Sequence, residues 1–343
     1  MSNKTALIIG ITGMDGESAA HFLLSKNYKI VGTYRKNSKI NLETISNSYN
    51  NSPNLFLEYC DINDFNSVRE LITKSLEILG HIDEVYLLAA QSHVGNSFSS
   101  AESTVLTNGM SVYNFLENLR FLSIKTRLYF AATSELLGGD PEKCPFTEES
   151  EFECRSPYSI GKELGTRWIK YYNQTYNMFA CYGVLFNHSN ISREKSFFIR
   201  KVTNAAARIS LGKQNKLILG NLNFYRDEHW SDFGVEMMWK MLQLPEPKTY
   251  IICRGKCFHG EEFLDESFNF FNLNWRNYVE FDKNLLRQNE VVKLVGNPQK
   301  AINDLGWQPD RLSFKKHISL MCDFDYKLEN NENPARPDIF KIV

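Results

Sequence analysis

The sequence contains no CxxC pair, and its seven cysteines (Cys60, Cys144, Cys154, Cys181, Cys253, Cys257 and Cys322) are odd in number. That pattern argues against a disulfide-stapled secreted framework and fits reduced thiols in a cytoplasmic protein. Cys253, Cys257 and His259 fall in one short stretch, but no second ligand pair follows, so no metal site is expected. Also missing is any apolar run near the roughly 20 residues that a membrane helix requires. The opening MSNKTALIIGITGMDGE has a short apolar segment, but Asp15 and Glu17 follow at once without a small-residue cleavage site. It reads as a buried first strand and not as a signal peptide. An excess of one charge is lacking too: 39 Lys and Arg stand against 40 Asp and Glu, for a formal net charge of -1. The basic residues are scattered, so neither nucleic acid nor a membrane surface is an expected partner. Internal repeats and low-complexity tracts are absent, and the abundant Asn is a compositional bias without functional content.

What is present is an alternation. At 343 residues, 43% apolar and 23% charged, the chain can bury a large core and suggests two domains, or one with a subdomain. Strand-like runs are ALIIG (6–10), KIVGTY (29–34), LFLEYC (55–60), EVYLLAA (84–90), RLYFAAT (127–133) and ACYGVLF (180–186). Helix-length amphipathic segments lie between them, for instance 16–26, 65–79, 102–119 and 159–175. The predicted fold class is α/β, a doubly wound parallel sheet covered on both faces. Beyond about residue 188 the pattern loosens, with a basic helix near 196–212 and a polar, loosely held tail, YKLENNENPARPDIFKIV.

The first strand runs into GITGMDG, which sets Gly10, Gly13 and Gly16 at the turn into the first helix. Glycines there let the backbone turn sharply and approach a pyrophosphate, whose charge lies against the free N–H groups of the helix start. The spacing is G-x-x-G-x-x-G and is weak by itself; its place after the first strand of a βα series gives it weight. The second strand ends in TYRKNSK. Where a fold that prefers NAD carries an acid for the ribose 2′-hydroxyl, this chain offers Arg35 and Lys36, suited to a 2′-phosphate, so NADP is the expected cofactor. Asp61 and Ile62, at the end of the third strand, can flank an adenine.

Tyr158 and Lys162 lie one turn apart in YSIGK, at the start of a helix-length segment. An ammonium beside a phenol, with a nicotinamide positive charge nearby, favours the phenolate and lowers the tyrosine pKa toward neutrality, and Lys162 can also bind the nicotinamide ribose. Thr133 and Ser134 close the fifth strand, where a hydroxyl would hydrogen-bond the substrate oxygen that Tyr158 deprotonates. Next comes Glu135, a carboxylate that plain alcohol oxidation does not require.

These elements resemble the extended short-chain dehydrogenase/reductases and, more narrowly, the GDP-mannose 4,6-dehydratase family. The similarity runs in order along nearly the whole chain, through ITGMDG, YRKNSKIN, LAAQSHV, ATSELLG, RSPYSIGK, LFNHSN, IRKVT, LGNLNFYRD, NEVVKLVGNPQKA and LGWQP. The resemblance implies a cytoplasmic NADP-dependent lyase in which Thr133, Glu135, Tyr158 and Lys162 are catalytic. Tyr158 would take the 4-hydroxyl proton as hydride leaves C4, and Glu135 would remove the C5 proton and protonate the departing C6 oxygen. Hydride would return to C6. Carried over by position, the cofactor contacts are Gly10, Ile11, Thr12, Gly13, Met14, Asp15, Gly16, Arg35, Asp61, Ile62, Leu88, Ala89, Ala90, Gln91, Ser92, Lys162, His188 and Arg193. The nucleotide-sugar contacts are Ser92, Ser134, Asn187, Lys201, Arg226, Arg287 and Glu290.

The resemblance further implies a Rossmann domain of residues 1–185 plus about 225–256, and a nucleotide-sugar lobe of about 186–224 plus 257–343. It also implies a homo-oligomer, dimer or tetramer, meeting through RKNSKIN and the loop around Arg193. The chain departs from the family pattern at Leu137, where tyrosine is usual, and at Ser103, which replaces a tyrosine cofactor contact. It departs again at FNHSN, at Glu228-His229 in place of Trp-Gly, and in a shortened C-terminal lobe. These changes fall outside the Thr133, Glu135, Tyr158 and Lys162 set and leave a related GDP-sugar, such as a GDP-heptose, open as substrate. The alternative activity is a same-fold GDP-sugar oxidoreductase or epimerase, whose chemistry would leave Glu135 idle.

Overall fold

All five side chains of β1 (Thr5–Ile9) are buried, which requires cover on both faces of the strand. The computed structural model, which describes residues 4–35, 49, 51–286 and 290–343, supplies that cover. The chain divides into two units: Met1–Leu136 with Glu151–Leu185 and Asp232–Tyr250, and Leu137–Ser150 with Phe186–Ser231 and Ile251–Val343.

In the first unit β1 pairs in parallel with both β2 (Lys29–Tyr34) and β4 (Glu84–Leu87). β2 continues to β3 (Leu55–Tyr59), and β4 continues to β5 (Arg127–Ala131) and β6 (Ala180–Leu185), all parallel. β1 lies between β2 and β4, so the strand order reverses between β1 and β4. This is the doubly wound sheet that the alternation predicts, and its switch point is where such folds bind ligands. The intervening helices include α1 (Met14–Ser25), α2 (Phe65–Leu79), α3 (Ala101–Val105), α4 (Ser111–Phe121) and α5 (Pro157–Tyr176). Asp64 caps α2 by accepting from the N–H groups of Asn66 and Ser67, at 2.8 and 3.2 Å. Ser156 and Ser159 exchange hydrogen bonds at the start of α5, with proline at the first helical position.

Of the six strands read from the sequence, five run past their observed ends, three by one residue and two by more. β4 stops at Leu87 and β5 at Ala131, because beyond those points the chain leaves the sheet at the switch point. The helix expected over 102–119 is α3 and α4 joined by a π-helical turn, Leu106–Met110.

The second unit holds β7 (Asn187–Ser189), β8 (Leu217–Leu219), β9 (Tyr225–Trp230), β11 (Cys257–His259), β12 (Val279–Phe281) and β13 (Lys293–Leu294), the strand Tyr250–Ile252 counting as β10. β9 is central: β7 and β13 pair with it in parallel and β11 antiparallel. The expected basic helix is Phe198–Ser210. Its Arg200 binds Asp325 of the helix Phe314–Glu329, with both side chains buried and the nitrogen-to-oxygen distance 2.7 Å. The tail is better held than its polarity suggests. Tyr326–Glu329 belong to that helix, where Glu329 accepts from Lys195, Asn204 and Arg208, and Ile339 further on is 1% exposed.

Candidate active site

The glycine loop sits at the switch point. Gly10 has a φ of +93°, donates its N–H to Thr33 Oγ1 at 2.9 Å and accepts from Gly13 N–H at 3.1 Å. A Cβ on Gly16 would lie 2.1 Å from the Gly10 carbonyl oxygen, so the turn closes only with glycine. Ile11 is buried, with its N–H donated to the Thr33 carbonyl at 3.1 Å, and Met14 opens α1. Gly13 is the N-cap of α1 and gives it no side-chain hydrogen bond; Thr12 and Asp15 are partly exposed beside it. A tight backbone cradle against an α1 start without a side-chain cap suits a dinucleotide pyrophosphate.

The remaining cofactor candidates of this unit border the same end of the sheet. Arg35 is exposed directly after β2, whereas Lys36 lies outside the described residues. Asp61 is exposed and accepts from Asn63 N–H at 3.0 Å, and buried Ile62 accepts from the Asn114 amide at 2.9 Å. Leu88 donates to the Ile9 carbonyl at 3.1 Å. Ala89, Ala90 and Gln91 are partly exposed, and Ser92 is exposed.

Two glycines set how closely α5 approaches its neighbours. A Cβ on Gly161 would stand 3.0 Å from Asn108 Cβ, and one on Gly165 would stand 2.6 Å from the Phe130 ring of β5. With both absent, α5 lies down on β5 and the π-helical turn, and Tyr158 and Lys162 are carried inward on one face. Lys162 is 3% exposed; its Nζ donates to the Ala131 carbonyl at 2.7 Å and stands 4.8 Å from the Phe130 ring centroid. Burial lowers its pKa from 10.5 to about 7, opposed by the Asp15 carboxylate. The same strand end continues into Thr133 and Ser134, both buried, and a short 3-10 turn, Ser134–Leu137. The Thr133 hydroxyl accepts from Glu135 N–H at 3.3 Å. Glu135 is half-buried, and its carboxylate makes no hydrogen bond or ion pair among the described residues.

Asn108 is a residue that the sequence reading misses. It is 1% exposed in the π-helical turn, and its amide grips the Gln91 backbone, accepting from Gln91 N–H at 2.8 Å and donating to the Gln91 carbonyl at 3.0 Å. That clamp fixes the loop after β4. A buried Asn-Gly inside a helical segment was the only available signal.

In the second unit, His188 Nδ1 is 2.7 Å from the Phe186 carbonyl oxygen, and its ring stacks on His229 at 5.4 Å. Arg193 lies over the Phe197 ring at 3.7 Å, and Asn187 opens β7. Arg226 donates to the Val291 carbonyl at 2.7 Å and stands 3.5 Å from Glu290. Lys201 donates to the Ile218 carbonyl at 2.7 Å, and burial lowers its pKa. Arg287 lies outside the described residues.

The doubly wound sheet carries a glycine cradle at its switch point and Tyr-x-x-x-Lys packed on its fifth strand, the arrangement that the resemblance to the extended short-chain dehydrogenase/reductases implies. A family model described as GDP-mannose 4,6 dehydratase matches residues 7–321. The chain therefore belongs to the GDP-mannose 4,6 dehydratase family. It is 38% identical over 338 residues to GDP-mannose 4,6 dehydratase 2 of Arabidopsis thaliana, covering 96% of this chain and 88% of that protein. To GDP-mannose 4,6-dehydratase of Yersinia enterocolitica it is 37% identical over 342 residues, covering 90% of each. Among solved structures, dTDP-glucose 4,6-dehydratase from Bacillus anthracis in complex with NAD superimposes with a TM-score of 0.82 at 18% identity, over 97% of this chain and 100% of that one. RMD from Pseudomonas aeruginosa complexed with NADPH gives 0.77 at 18% identity, over 95% and 100%. At that identity the two structures speak to the fold alone.

Proposed function

We propose that the chain is a GDP-sugar 4,6-dehydratase that converts GDP-mannose to GDP-4-keto-6-deoxymannose with NADP. The observation that carries this reading is Glu135, a half-buried carboxylate uncommitted among the described residues, two positions beyond Thr133 on the strand end that Lys162 grips. A simple dehydrogenase needs a hydroxyl, a phenol and an ammonium, but elimination of water also needs a carrier for the C5 proton.

Gly10 to Gly16, Arg35, Asp61, Ile62 and Leu88 to Ser92 would hold the dinucleotide, with Lys162 on its ribose and His188 and Arg193 as further contacts. Arg35 favours the 2′-phosphate of NADP over NAD. A bound nicotinamide would supply a reversible hydride acceptor, for the hydride that leaves C4 and returns to C6, without net consumption. Tyr158 takes the proton of the 4-hydroxyl, and Thr133 with Ser134 hydrogen-bonds that oxygen. The ketone at C4 acidifies the C5 proton, which Glu135 removes; the same carboxyl group then protonates the C6 hydroxyl, and water leaves. Lys162 favours the phenolate form of Tyr158. Lys201, Arg226 and Arg287 would neutralise the diphosphate, with Asn187, Ser92 and Glu290 as polar contacts.

We further propose a cytoplasmic homo-oligomer, dimer or tetramer, using the loops around Arg35 and Arg193; the seven free cysteines support a reducing compartment. Purified protein incubated with NADP+ and a panel of GDP-, UDP-, CDP- and dTDP-sugars tests the activity by mass spectrometry. GDP-mannose is expected to lose one water. Oxidation without loss of water would convert the reading to an oxidoreductase, and loss of water from a GDP-heptose alone would change the sugar.

A further inference from the structure

Strand β9 carries a second acid that the scheme above does not use. β7 and β9 run parallel with Asn187 opposite Glu228, His188 opposite His229 and Ser189 opposite Trp230. Paired residues of adjacent strands project on the same face, and so does the residue two positions along, so Asn187, Glu228 and Arg226 share one face. Glu228 is 4% exposed, and its Oε1 has no hydrogen-bond partner among the described residues; nor has the buried Oδ1 of Asn187. Two buried acceptors left open side by side are costly in a finished protein interior. Neighbouring buried acids are satisfied. Asp227, on the opposite face, accepts from the N–H groups of Arg254 and Gly255 at 2.6 and 2.7 Å, and Asp325 accepts from Arg200.

The surroundings narrow what completes the pair. Burial pushes the Glu228 carboxyl up to about 7, while the Ser189 hydroxyl and the guanidinium groups of Arg193 and Arg254 favour its ionised form, so a further cation is redundant. A phosphate would be repelled by the acid. What remains is a neutral hydrogen-bond donor. Arg226 stands one strand step before Glu228, roughly 6.6 Å away along the chain, and supplies the charge that a phosphate needs. A group carried just beyond a diphosphate and rich in neutral donors is a sugar ring.

We propose that Glu228 and Asn187 form an acceptor pair that receives a hydroxyl of the sugar carried on the nucleoside diphosphate, making Glu228 a determinant of which sugar is held. This rests on the nucleotide-sugar reading above. Dissociation constants for GDP-mannose, GDP and NADP+ measured on wild type, Glu228→Gln and Glu228→Ala test it, with thermal unfolding as the check on folding. Gln keeps the shape of the side chain and can donate to Asn187 Oδ1, closing the pair to the ligand. Either variant should weaken GDP-mannose by about 10-fold or more while GDP and NADP+ stay within about twofold. Equal weakening of GDP and GDP-mannose, weakening of NADP+ alone (the nicotinamide amide being the donor), or no change (a buried water completing the pair) would each overturn it. If wild type leaves GDP-mannose intact yet Glu228→Gln selectively weakens another nucleotide sugar over its parent nucleotide, the dehydratase reading fails and this one stands. If wild type dehydrates GDP-mannose and the variants bind it normally, the reverse holds. Failure of wild type to bind any nucleotide sugar defeats both.

Discussion

Replacing Lys162 with methionine should make the cofactor-free protein less dependent on pH while removing its activity. The ammonium is sealed under α5, bonded to the Ala131 carbonyl, and burial holds its pKa near 7 against 10.5 for a free lysine. Between those two values the unfolded chain carries a proton that the folded chain has released. Unfolding therefore takes up a proton, and stability rises with pH across that window. Moving from pH 7 to pH 9 should add about 2 kcal/mol to the wild type through this group alone, taking the shift at about 1.4 kcal/mol per pH unit where it is fully expressed. The methionine variant lacks the titration, and other groups cancel in the comparison. Urea unfolding of both proteins at the two pH values measures it: the wild type should gain about 2 kcal/mol on the variant. Turnover should fall on the order of 100-fold or more, because Tyr158 loses the charge that favours its phenolate. Parallel stability profiles would refute the claim that this amine is buried and near neutral.

Three further outcomes follow from local geometry. Asn108→Ala should cost about 1–3 kcal/mol in unfolding free energy and lower kcat/KM, because both backbone groups of Gln91 lose their partner. Gly165→Ala should destabilise by about 1–3 kcal/mol, read as a lower Tm, since its Cβ would stand 2.6 Å from the Phe130 ring and push α5 off β5. Arg35→Glu should weaken NADP+ on the order of 30-fold relative to NAD+ in direct binding, through loss of a charge-assisted contact and added repulsion.

The fold was legible where burial on two faces and helix-length spacing coincide. KIVGTY is β2 to the residue, and 65–79 is α2 to the residue, bounded by its Asp64 cap and by Gly80 at a φ of +82°. Strand ends were less legible, since apolar residues run on past Leu87 and Ala131 into loops of the switch point. The tail misled because its composition is polar while a few side chains, Ile339 and Glu329 among them, anchor it. At the candidate site the glycine loop and the Tyr158–Lys162 pair could be placed from their spacing within a βα series, whereas the remaining candidates were named through the family resemblance. Asn108 could not, because its function depends on reaching Gln91 across space, and Glu228 could not, because an unpaired buried oxygen is a property of packing. Lys36 and Arg287 fall outside the described residues.

The central claim is that Glu135 carries the proton of an elimination. The most direct test mixes Glu135→Gln enzyme, loaded with NADP+, with GDP-mannose and follows nicotinamide absorbance together with the mass of the sugar nucleotide. The account predicts that reduced cofactor forms, because Tyr158, Thr133 and Lys162 are intact, and that no product lacking one water accumulates. Formation of the 4-keto-6-deoxy product at the wild-type rate would contradict it.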